Sequence, residues 1–141
     1  MNLKNREKDL DLRKVKEKLL KLDKQLNKHQ KIKFIFLYGS KAELRDTPLS
    51  DIDIAVYYEG NEEERFQFRM KALGELPNKA DLQIFQDLPL IVKKEIIGGK
   101  VLYYLNYRFL FEQCMKEIKE FNTFEKYYNE YLNELKKEIE A

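Results

Sequence analysis

The 141-residue sequence is short of the residues that build most metal and redox sites, with one cysteine, Cys114, and one histidine, His29. A single cysteine excludes an internal disulfide and suits a reducing compartment. A lone histidine makes no metal site by itself, and near a helix end its charge suits the dipole. No apolar run approaches a membrane span, and the first thirty residues are too polar for a signal peptide. Long basic stretches are missing too, and the formal net charge is only +2. That balance argues against a chain whose main work is tracking a nucleic-acid backbone. The sequence has no G-x-x-x-x-G-K-S/T loop, which disfavours kinase-like transfer of a terminal phosphate. Repeats, low-complexity tracts and linkers are absent as well. The expectation is a soluble, cytoplasmic protein with neither a membrane nor a nucleic acid as direct partner.

What is present is a charged chain, 37% Asp, Glu, Lys and Arg against 43% hydrophobic residues, long enough for one domain with a useful core. Leu12, Val15, Leu19, Leu22 and Leu26 recur three and four residues apart, which predicts an amphipathic, lysine-rich helix from Asp9 to about His29. Ile32 to Tyr38 is an almost unbroken apolar run, as in a strand covered on both faces. Gly39-Ser40 follows as a tight turn, with a capping box in Ser40 and Glu43. Arg45 to Pro48 reads as a loop, and Ser50 leads into a second strand, Asp51 to Tyr58. Asn61 caps a helix that opens on Glu62, Glu63 and Glu64, turns Phe66, Met70 and Leu73 inward, and ends at Gly74 and Pro77. Ala80 to Gln86 is a third strand, Pro89 to Ile96 a helix stopped by Gly98-Gly99, and Val101 to Tyr104 a short edge strand. From Tyr107 the chain is helical, with a stripe from Phe111 to Ile139 read mostly as core and partly as interface. Asn122-Thr123 is the place where that helix would divide in two.

The chemistry lies between the first strand and the third. Asp51 and Asp53 alternate on one strand, so they share a face roughly 6–7 Å apart along the backbone. On the third strand Asp81 shares a face with Gln83 and Phe85. Aspartate is poor strand chemistry, so Asp81 needs a reason, and a cation shared with Asp51 and Asp53 supplies one. Three ionised carboxylates without a cation repel each other. Magnesium removes that cost, and two ions about 3.5–4 Å apart can activate an attacking hydroxyl and stabilise the leaving oxygen. The Gly39-Ser40 turn would hold a nucleoside triphosphate by backbone amides and the serine hydroxyl.

Gly39-Ser40, the spacer Lys41 to Ser50, Asp51-Ile52-Asp53 and Asp81 together resemble the nucleotidyltransferase superfamily of the DNA-polymerase-β type. More narrowly the pattern is similar to the minimal nucleotidyltransferases, the MNT or MntA-type antitoxins. The resemblance implies an α/β fold, a mixed sheet flanked by helices with long amphipathic N- and C-terminal helices. It covers about residues 30–104; length and periodicity give a single domain over 1–141, with that core and helical extensions at 9–29 and 107–139. Asp51, Asp53 and Asp81 are then the catalytic and metal-binding residues, and Gly39, Ser40, Arg45 and Ser50 bind nucleotide. Mg2+ and ATP are the implied cofactor and substrate, and a HEPN-domain toxin, modified with AMP on a tyrosine, is the implied partner. The alternatives are an antitoxin that only binds its partner and a transferase acting on an aminoglycoside-like small molecule. Self-association is compatible with either. One departure stands out: where many relatives carry arginine and glycine, this chain has Glu43 and Leu44, which puts negative charge beside the expected phosphate site.

Overall fold

The computed structural model describes residues 3–39 and 52–140, with side chains from residue 12 onward. Four helices and four strands follow one another as α1 (Leu3–Leu26), β1 (Ile32–Tyr38), β2 (Ile52–Tyr58), α2 (Glu62–Glu75), β3 (Ala80–Ile84), α3 (Leu90–Ile97), β4 (Lys100–Tyr104) and α4 (Tyr107–Glu140). The sheet runs in the order β3-β2-β1-β4, so β4 is an edge strand as expected. β1 pairs antiparallel with β2 and β4, whereas β2 pairs parallel with β3. A parallel neighbour demands a crossover, and α2 makes it.

The two sheet faces carry separate cores. One gathers Val15, Leu19 and Leu22 of α1 and Phe68 and Ala72 of α2 against Ile32, Ile35, Ile54, Val56, Leu82 and Ile84. The other packs Ile96 of α3 and Leu110 of α4 on Phe34, Phe36, Ala55 and Phe85. Ile32 and Phe34 sit on opposite faces although they are two residues apart. A β-bulge explains this: Ile32 pairs with Tyr58 and Phe34 with Tyr57, so one extra residue on β1 reverses the alternation.

Local chemistry sets the ends of the elements. Asn61 and Glu64 form a reciprocal capping box at the start of α2, with Glu64 N–H donating to Asn61 Oδ1 at 2.8 Å. Asn106 caps α4 with a single bond, its Oδ1 accepting from Phe109 N–H at 3.1 Å.

Several details differ from the sequence expectation, beginning with α1, which runs Leu3–Leu26 where Asp9 to about His29 was expected. α2 turns Phe68 and Ala72 inward and leaves Phe66 and Met70 60% and 50% exposed. β3 stops at Ile84, after which Phe85–Asp87 forms one 3-10 turn. α4 is one continuous 34-residue helix through Asn122 and Thr123. Thr123 stays helical because its hydroxyl donates to the Lys119 carbonyl four residues back, at 3.1 Å. Along the apolar stripe of α4 only Cys114, Ile118 and Phe121 are half-buried, Phe111 is exposed, and so is every residue from Asn122 to Glu140.

Candidate active site

Where β1 ends, β2 and β3 begin, and three polar side chains line up across them. Asp53 is the antiparallel partner of Tyr38 and the parallel register partner of Asp81. Alternation along each strand puts all three on the face that carries Phe36, Ala55 and Phe85. Neighbouring strands lie about 4.8 Å apart, so the two aspartates are adjacent. The sequence reading called for Asp51, Asp53 and Asp81 to converge; Asp53 and Asp81 are register neighbours, and Asp51 lies outside the described residues.

Gly39 closes one end of the row. Its φ of +82° is in the left-handed region, and a Cβ there would stand 2.6 Å from Asp53 Oδ2. The bare glycine backbone is therefore packed directly against the carboxylate. Ser40, Arg45, Ser50 and Asp51, expected in the site, lie outside the described residues, as do Glu43 and Leu44.

Asp81 is bracketed by two side chains from its own chain. Gln83 Nε2 donates to Oδ2 at 3.2 Å, and Arg69 Nη2 stands 4.0 Å from Oδ1. Arg69 is itself anchored, its Nε donating to the Leu82 carbonyl at 2.7 Å on the free edge of β3. Burial, followed by the charges of Asp53, Asp81 and Glu95, pushes the Tyr38 hydroxyl up to about 12, with Arg69 opposing. Burial is the larger cause and the neighbouring carboxylates add to it, so both favour the neutral phenol of Tyr38.

Sequence reasoning did not place Tyr38 or Arg69 in the site, and it put Gln83 on the Asp81 face without giving it a role. Tyr38 was within reach: it is the last strand residue before the glycine turn, and an antiparallel partner of Asp53 had to come from there. Arg69 had no sequence signal, because its role depends on α2 crossing over the edge of β3.

Oxygen ligands from rigid strands suit a hard divalent cation such as Mg2+. Asp53 and Asp81 are the described residues able to hold one, and the carboxylate donor set fits. Among the described residues no group of three or more His, Cys, Asp or Glu could hold a metal ion.

The mixed sheet, the glycine bend at one strand end and the adjacent aspartates on the next two strands suit a nucleotidyltransferase domain. The chain belongs to the polymerase beta nucleotidyltransferase family, whose model matches residues 20–108. A Methanocaldococcus jannaschii protein named as a protein adenylyltransferase is 43% identical over 70 residues, 49% of this chain and 53% of that protein. The chain thus matches about half the length of this relative. Among solved structures, a chain of a toxin–antitoxin complex with AMP-PNP aligns with a TM-score of 0.64 at 20% identity, covering 84% of this chain and 96% of the other. A chain from the complex of tri-AMPylated Shewanella oneidensis HEPN toxin with MNT antitoxin aligns at 0.63 and 19% identity, covering 90% and 97%. The MntA–HepT toxin–antitoxin structure gives 0.63 at 18% identity, with the same coverage. At these identities the likeness is one of fold. Among the described residues no helix is long and apolar enough to cross a membrane.

Proposed function

We propose that this chain is an antitoxin of the minimal nucleotidyltransferase type, which transfers AMP from ATP to a tyrosine of a HEPN-domain toxin. The observation that carries the reading is the register pairing of Asp53 with Asp81 beside Gly39. The relative named as a protein adenylyltransferase and the fold shared with toxin–antitoxin complexes support it. In this reading Gly39 and Ser40 hold the triphosphate through backbone amides and the serine hydroxyl, with Arg45 and Ser50 flanking the phosphates. Asp51, Asp53 and Asp81 would hold Mg2+. Bound there, the metal supplies neutralising charge for the triphosphate and for the departing pyrophosphate. Asp81, at the strand start, accepts the proton of the incoming phenol. The phenolic oxygen attacks the α-phosphorus, the new O–P bond forms, the bond to the bridging oxygen breaks, and pyrophosphate leaves.

The test is incubation with Mg2+ and α-labelled ATP, with and without a HEPN toxin, followed by a denaturing gel. Label is expected on the toxin, reduced about 100-fold or more in Asp53→Ala and Asp81→Ala. A tight complex that carries no label would replace this reading with a binding-only antitoxin. Label on an added aminoglycoside in place of the toxin would point to small-molecule transfer.

A further inference from the structure

The distal half of α4 adds no buried residue to either core of the protein. From Asn122 to Glu140 all nineteen residues are exposed, a rod of about 28 Å. It is not polar all round, as a solvated helix would be. Phe121, Phe124, Tyr128, Leu132, Leu135 and Ile139 recur at spacings of three and four residues, which average one per helical turn. Phe124 stacks on Tyr128, ring centroids 5.8 Å apart and planes 16° from parallel, so the face is already ordered for contact. Exposures of 50% at Tyr128 and 77% at Ile139 are costly for a surface with no partner.

We propose that the occupant is the same segment of a second copy, packed antiparallel. The charges beside the stripe argue for this choice. Glu125 and Lys136 are eleven residues apart, about three turns, and so flank the stripe on the same side. In an antiparallel pair with its two-fold axis between Glu130 and Tyr131, Glu125 of each copy faces Lys136 of the other. The opposite flank sets Glu134 level with Tyr127 and Glu138 level with Thr123 of the second copy, with Glu120 the like charge that comes within one turn of Glu138. Lys126, Glu130 and Lys137 point away into solvent. Antiparallel packing also keeps the two globular bodies at opposite ends of the rod. A single face thus offers a matching apolar stripe, matching length and self-complementary charge, as an isologous interface requires.

Sedimentation of the full chain tests the pairing. The wild type is expected to run at twice 17.1 kDa. Leu132→Glu, an exposed position, is expected to return it to 17.1 kDa with an unchanged circular dichroism spectrum. Glu125→Lys alone and Lys136→Glu alone each create two like-charge contacts and raise the dissociation constant about tenfold or more. An equimolar mixture of those two variants restores the wild-type affinity, because each copy then meets its opposite. A wild type that stays monomeric at 100-fold higher concentration overturns the proposal, as does a mixture no tighter than either variant alone. Recruitment of a different protein to the stripe while the chain stays monomeric overturns it equally.

Discussion

A carboxylate withdrawn from water must have its lost hydrogen bonds replaced, and Asp23 shows how one residue ties α1 to the sheet. It is fully buried, and its oxygens accept from Ile32 N–H at 2.9 Å, Lys31 N–H at 3.0 Å and Asn27 Nδ2 at 2.9 Å. Those bonds fix the chain where it turns from α1 into β1, the strand that carries Tyr38 and leads into Gly39. Asp23→Ala strands two backbone donors and is expected to cost about 3 kcal/mol in urea unfolding. A loss below about 1 kcal/mol would mean the turn holds without it. Tyr38 sets a pH limit from the other end of β1. Its folded value of about 12 is above the ordinary 10, so the fold prefers the neutral phenol. That preference contributes in full below pH 10 and is lost as pH rises towards 12. Tyr38→Phe should therefore lose less unfolding free energy than the wild type between pH 10 and 12. Parallel curves for the two proteins would remove the assigned cause.

At the scale of elements, α2 shows what a sequence can and cannot reveal. Its start was legible because the Asn61 cap and the three glutamates act locally, through bonds within one turn. Asn61→Ala should cost about 1 kcal/mol in thermal unfolding, and a change within a few tenths would show that the exposed box adds little. Its inner face was not legible. Phe66, Phe68 and Met70 stand at spacings of two, which a helix spreads around its circumference, so apolar residues occur on both sides. The choice falls to tertiary packing: Phe68 stacks on Tyr58 of β2 with centroids 4.2 Å apart. β1 tells the same story at finer grain. Its span from Ile32 to Tyr38 was plain in the apolar run, but the bulge after Ile32 was not, because it exists only in the register with β2. For α4 the stripe was visible in the sequence, yet periodicity marks a face without saying what covers it. That is why the distal stripe could be read as core while the fold leaves it bare.

At the scale of the molecule, the candidate site depends on topology. Asp53 and Asp81 are 28 positions apart in the chain. Alternation could assign each to a face, but only the α2 crossover and parallel pairing of β2 with β3 make them neighbours. The body that holds them is built from both clusters, and its contacts with α4 involve residues such as Leu110 and Glu117. Glu117 is buried and ion-paired with Lys93 of α3 at 3.4 Å, while Lys94 caps the Phe121 ring from 3.9 Å. Beyond Phe121 those contacts cease, so the body and the distal helix should be separable in energy. A chain ending at Phe121, compared with the full chain at low micromolar concentration, should unfold within about 2 °C of it, since no apolar area on the body is newly exposed. Dilution matters because pairing through the distal helix would add its own stabilisation by mass action. A drop of more than about 8 °C, independent of concentration, would mean that residues 122–140 hold the body together and that their exposed stripe is not free for a second chain.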